Sequence, residues 1–158
     1  MESEVRKNIL MIAVVFIIIS ILLGVLVVGA KTQHKTIRIL TKQTEENIKF
    51  DKEKMNIYFF YGDGCSHCEE LISFLNNLPE KYNEYYDLYT LEVWYDEKNN
   101  ELMRNLVKKI GKTVEGVPCL IIGDQVFFGY SETMNEKIKQ AIKEESKEKY
   151  DVYKEFQQ

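Results

Sequence analysis

Cysteine is scarce in this chain, three in 158 residues, which excludes a small secreted scaffold stapled by disulfides. Two prolines and eight glycines exclude a collagenous or low-complexity chain. There is no basic surplus: 21 Lys and Arg face 25 Asp and Glu, for a net charge of −4, and no basic cluster marks a nucleic-acid footprint. Charge is missing altogether from Asn8 to Ala30, 23 positions in a row. That is one membrane-length run, where a multi-span membrane protein needs several. The remainder has the charge content of a soluble domain.

The run from Ile9 to Ala30 is dominated by Ile, Val and Leu. As a helix it rises roughly 33–35 Å at ~1.5 Å per residue, enough for a hydrocarbon core of ~30 Å with slight tilt. It reads as one uncleaved transmembrane anchor. The rival is a cleavable signal peptide, with Val28-Gly29-Ala30 as the cleavage pattern, although the apolar stretch of a signal is shorter, about 7–15 residues. The expected organisation is a flank (1–7), an anchor (8–30), a tether (31–35) that includes His34, an α/β domain (36–145) and a charged tail (146–158). Arg6 and Lys7 precede the span, while Lys31, Lys35, Arg38 and Lys42 follow it. By Lys and Arg count alone the domain stays in the cytoplasm, but large C-terminal domains translocate regardless of such counts. The chemistry below favours the outer side.

Past the tether, residues 36–40 read as a short strand and 44–50 as a short helix capped by Thr44. Met55 to Tyr61 is a better strand, continuously apolar and closed by Gly62-Asp63-Gly64. After Cys65-Ser66-His67-Cys68, the residues Leu71, Ile72, Phe74, Leu75 and Leu78 recur at helical spacing until Pro79. Residues 85–95 form a second strand region, and Leu102, Leu106, Val107 and Ile110 mark a helix ended by Gly111. Residues 117–122 and 125–128 read as a hairpin about Gly123-Asp124, and Met134, Ile138, Ala141 and Ile142 as a last amphipathic helix. Beyond Lys143 the sequence turns to charge, so 146–158 is expected to be a frayed helix or tail. The order β-α-β-α-β-α-β-β-α implies a sheet with helices on both faces. Ligand chemistry in such sheets collects beyond the carboxyl ends of the strands, where Cys65 falls.

Two cysteines spaced by two residues at a helix N-terminus can close a disulfide within the first turn. The leading thiol lies where unsatisfied N–H groups and the positive helix end favour an anion, and such motifs reach a pKa of ~3.5–7.5 against ~8.5 for a free thiol. Cys65 is therefore expected to be the attacking thiolate, and Cys68 the thiol that resolves the mixed disulfide. His67, between them, tunes the pair: a partly cationic imidazole stabilises the thiolate and makes the disulfide more oxidising. Asp63, Glu69 and Glu70 push the other way, and the expected potential is roughly −250 to −130 mV. The competing reading is half of a zinc site. It lacks ligands, since a structural site wants four and only Cys119, His67 and the distant His34 remain.

Four features together are more specific than the cysteine pair. They are the strand 57–61, Cys65-Ser66-His67-Cys68, Gly116-Val117-Pro118 about fifty residues later, and the hairpin leading to Phe128-Gly129-Tyr130. On them, the chain from about 36 to 144 resembles the thioredoxin-like superfamily, especially its membrane-anchored bacterial and archaeal thiol–disulfide oxidoreductases. The resemblance implies an α/β thioredoxin-like fold, a central mixed sheet flanked by helices, here preceded by one N-terminal transmembrane helix. It also implies that Pro118 is cis and packs beside the disulfide, and that Val117 offers backbone hydrogen bonds to a substrate chain. A cis X-Pro bond is cheap and marks a tight functional turn; the alternative is an ordinary trans proline opening a strand. Three departures stand out. Gly64 occupies the place of the Trp that thioredoxins carry before the first cysteine. Ser66-His67 replaces Gly-Pro and is closer to the Pro-His of bacterial disulfide oxidases. Phe59 stands where many members bury an acid, so the proton of Cys68 must pass to water or to a group such as Glu92 or Asp96.

Cys119 reads as a small buried residue facing away from the site, or alternatively as an auxiliary thiol. Tyr61 and Tyr130 are candidates for the rim of a peptide groove. The function expected is a single-pass, membrane-anchored thiol–disulfide oxidoreductase whose domain lies outside the cytoplasm. It would need no cofactor or metal beyond its own disulfide. Its partners would be thiol- or disulfide-containing proteins, a membrane or soluble redox partner and the lipid bilayer, with no nucleic acid. The alternatives are a non-catalytic accessory module of the same fold, for example in peptide export, and a metal-binding module.

Overall fold

In a computed structural model of the chain, the residues described are 43–158 and, nearer the N-terminus, positions 4, 6, 7, 11–15, 18 and 20. The expected tether (31–35), the first strand (36–40) and most of the anchor (8–30) lie outside the described residues. The described N-terminal positions are helical, and among the described residues no helix is long and apolar enough to cross a membrane. The chain divides into two units, Met1–Lys35 and Thr36–Gln158, and the second holds the sheet.

Strand β1, Met55–Tyr61, is buried at all seven positions, as a sequence apolar and aromatic but for Asn56 requires of a strand covered on both faces. Strand β2, Tyr86–Glu92, pairs parallel to it from Met55↔Tyr86 to Tyr61↔Glu92. On its other edge β1 meets β3, Cys119–Ile122, antiparallel through Phe60↔Cys119 to Ile57↔Ile122. A turn at Gly123-Asp124 returns the chain as β4, Gln125–Phe128, and the sheet order is β2-β1-β3-β4. This register brings the carboxyl ends of β1, β2 and β4 and the amino end of β3 to one end of the sheet. Residues 93–95, 62–65, 116–118 and 129–130 follow one another across it.

Four helices cover the sheet: α1 (Ser66–Asn76), α2 (Glu97–Lys109), α3 (Asn135–Glu148) and α4 (Val152–Phe156). The two-residue period of β1 sorts them. Ile57, Phe59 and Tyr61 pack with Cys68, Leu71 and Leu75 of α1 and Ile138, Ala141 and Ile142 of α3. Tyr58 and Phe60 point the opposite way, to Leu102, Leu106 and Val107 of α2 and Val152 and Tyr153 of α4. The mixed sheet flanked by helices is thus as expected from the sequence.

The charged segment 146–158, expected as a frayed helix or tail, holds the end of α3 and a second, short helix. Lys149 takes a left-handed conformation (φ 52°) that stops α3, and the chain folds back as α4 with Val152 and Tyr153 buried. Asp151 caps the new helix, accepting from the N–H groups of Tyr153 (3.0 Å) and Lys154 (3.2 Å). The same carboxylate accepts the Tyr58 hydroxyl at 2.7 Å, and the Tyr153 hydroxyl donates to Glu45 at 2.7 Å. Two adjacent apolar residues held by such polar contacts make no helical period, so charge is the segment's only visible pattern in the sequence. The second strand is also shorter than expected, ending at Glu92 rather than near Tyr95. The short helix expected at 44–50 is a single 3₁₀ turn, Glu45–Asn47, in which Asn47 Oδ1 accepts the N–H of Thr44 (2.8 Å).

Candidate active site

A turn delivers Cys65 from β1 to α1. The N–H of Cys65 donates to the Gly62 carbonyl (3.1 Å), and Gly64 takes φ +80°, a conformation open to glycine at little cost. Cys65 is the N-cap of α1 and is half-buried; Cys68, one turn in, is fully buried. Their sulfurs are bonded, with Cα atoms 5.2 Å apart, inside the range a disulfide spans. The backbone N–H of Cys68 donates to Cys65 Sγ at 3.2 Å. A helix N-terminus aimed at a sulfur in this way favours its anion once the pair is reduced.

His67 sits on the exposed outer side of α1, and its Nδ1 is 3.0 Å from Glu70 Oε2. Its contact within the chain is therefore a carboxylate one turn along. Glu69 is exposed as well. The two acids named from the sequence for the proton of Cys68 are both committed to backbone. Glu92 is buried, its Oε1 accepting from Trp94 N–H (2.8 Å) and Asp63 N–H (3.3 Å) and its Oε2 from Tyr95 N–H (2.9 Å). Asp96 caps α2 through Asn99 N–H (3.0 Å).

The Val117-Pro118 peptide bond is cis. Val117 is half-buried and packs on the same core as Cys65, and Pro118 is buried, its carbonyl accepting from Gly129 N–H (2.8 Å). The register thus brings Cys65, Val117, Pro118 and Gly129 to one end of the sheet from four separate stretches of sequence. Cys119, the next residue, falls on the opposite face among Tyr58, Phe60 and Leu106, fully buried, where desolvation pushes its thiol well above the ordinary range. Tyr61 does not rim a groove: it is 3% exposed, and burial followed by Glu92 and Asp63 raises its phenol. Tyr130 does, its hydroxyl held by Asn135 Oδ1 (2.8 Å). With Ser66, His67, Phe74, Glu132 and Asn135 it borders a groove of about 880 Å³ between α1 and the segment leading into α3. Among the described residues no three His, Cys, Asp or Glu side chains are grouped to hold a metal ion.

One neighbour of the site was invisible in the sequence. The indole of Trp94 lies against Gly62, so close that a β-carbon there would collide with its ring. The signal is a register, Tyr61↔Glu92, which sets the residues following both strands side by side; no local motif carries it.

Compared with known proteins, the chain matches no protein-family model and no curated protein. Among solved structures it is similar to the glutaredoxin (grx-1) from Archaeoglobus fulgidus, with a TM-score of 0.38 and 20% sequence identity, covering 54% of this chain and 84% of that one.

Proposed function

We propose that this chain is a thiol–disulfide oxidoreductase that exchanges disulfides with other proteins through Cys65 and Cys68. The observation that carries the reading is the asymmetry of the pair: a half-buried sulfur at a helix N-terminus, bonded to a fully buried one a turn deeper. In the reducing direction the Cys65 thiolate attacks a substrate disulfide. A Cys65–substrate S–S bond forms, the substrate's own S–S bond breaks, and its first thiolate leaves and is protonated by solvent. The Cys68 thiolate then attacks Cys65 Sγ, closing Cys65–Cys68 and expelling the second substrate thiolate. Two electrons pass from the dithiol to the substrate, and the reverse sequence oxidises a dithiol. With Glu92 and Asp96 engaged by backbone, water is the acceptor for the Cys68 proton. His67 tunes the thiolate of Cys65, and Val117, beside the cis Pro118, pairs with the substrate backbone.

The uncharged run 8–30 tethers the domain to the membrane in a single pass, and the domain works outside the cytoplasm, where disulfides persist. The reaction needs no cofactor beyond the disulfide itself. The test is reduction of insulin disulfides with dithiothreitol as electron donor. The protein should accelerate it and Cys65→Ser should fall to the uncatalysed rate; reduced Cys68→Ser, freed of dithiothreitol before insulin is added, should accumulate a conjugate with insulin that added dithiothreitol then releases. A Cys65→Ser protein as active as the parent would overturn the reading.

A further inference from the structure

Trp94 is the sole tryptophan of the chain, and it stands 54% exposed with Tyr95 beside it at 78%. The indole abuts Gly62, and the backbone beneath both aromatic residues is fastened by Glu92, itself only 2% exposed. Burying a carboxylate is costly unless its oxygens are well hydrogen-bonded. Here three backbone N–H groups supply that, and they come from two loops: Asp63, two residues before Cys65, and Trp94 with Tyr95 beyond β2. One buried acid thus ties the turn that presents the reactive sulfur to a ledge of exposed aromatic surface. A plain connection between a strand and a helix requires no such fastening. Rigid aromatic side chains offer large contact area at small entropy cost. The ledge lies at the sheet end where Cys65 reaches solvent, on the β2 side, away from Val117 and Tyr130.

We propose that Trp94 is a specificity-determining contact for polypeptide substrates, packing an apolar side chain that flanks the cysteine joined to Cys65, and that Glu92 is its positioning residue. This rests on the oxidoreductase reading above and names the substrate feature that reading leaves open. A small thiol has no surface to lay on the indole; a polypeptide segment does.

The experiment uses reduced Cys68→Ser protein and three probes, each activated as a mixed disulfide with thionitrobenzoate. They are a peptide whose single cysteine is flanked by leucines, its serine-flanked counterpart, and cysteamine. The Cys65 thiolate forms a disulfide with the probe sulfur, the probe–thionitrobenzoate bond breaks, and the aryl thiolate that leaves is counted by its absorbance. The leucine peptide should react about tenfold faster than the serine peptide, a difference of about 1.4 kcal/mol. Trp94→Ala should bring the two close to parity. In the leucine adduct, Trp94 emission should shift to the blue and resist acrylamide quenching, while the cysteamine adduct should show neither change. Adding Glu92→Gln places an amide N–H opposite a backbone N–H, and the shielding should be largely lost. If that variant fails to fold, Gly62→Ala, which displaces the indole, should lose it instead. Equal rates for the two peptides, or adducts that leave Trp94 emission and quenching unchanged, overturn the specificity role. Full shielding retained in the variants overturns the positioning role. If no probe releases aryl thiolate, the oxidoreductase reading itself fails.

Discussion

Of the three thiols, two were legible by spacing and the third by strand alternation. Cys65 and Cys68 stand a helical turn apart after a glycine turn, and Cys119 follows a border residue of the site, so it must face away. Their chemistry separates accordingly. In the reduced native protein, alkylation should modify Cys65 first. Cys119, fully buried and with its thiol pushed up by desolvation, should resist label until the chain is unfolded. Mass mapping of the labelled peptides against time checks this, and equal labelling of Cys119 under native conditions would contradict its placement. What the sequence could not reveal is the company these residues keep. His67 lies against Glu70, and Glu92 holds two loops. Both are matters of rotamer and register, which a linear pattern does not encode.

At the scale of elements, β1, α1, α2, the hairpin and α3 were read with small boundary errors because each has a strong period or a clear stop. The closing helix α4 falls in the stretch expected as a frayed helix or tail; its separate, packed form is not legible, since five residues carry too few apolar positions to show a period. Its stability comes from a polar hub instead. Asp151 is at once the cap of α4 and the acceptor for the buried Tyr58 hydroxyl. Asp151→Ala should therefore cost about 2–3 kcal/mol: about 1 for the cap and about 1–2 for a hydroxyl left without that partner. In a Tyr58→Phe background the same change should cost less, because no hydroxyl is orphaned. Urea unfolding of the four proteins in the cycle measures the coupling, and strict additivity would show that the hub does not act as one.

For the molecule as a whole, tyrosine in the core sets an alkaline limit. Burial, then Asp151, raises Tyr58; burial, then Glu45, raises Tyr153 to about 12 from its ordinary 10.0. Below pH 10 these phenols are neutral in both folded and unfolded chains and exert no differential effect. As pH rises through 10 the unfolded chain ionises while the folded one does not. The unfolded state then binds fewer protons, and stability falls until the folded values are passed. The buried Cys119 thiol, raised by desolvation from an ordinary 9.0, adds an earlier and smaller loss. The urea midpoint should thus be level from about pH 7 to 8, begin to fall near 9 and decline most between 10 and 12, the last part less steeply in Tyr153→Phe. Across the same molecule the sheet acts as a partition, with the Cys65–Cys68 pair on one side and Cys119 on the other. For the exchange proposed above, such an arrangement insulates the couple: each chain would trade in two electrons and no more, and the third sulfur would neither drain the pair by internal shuffling nor bridge one copy to another while the fold lasts.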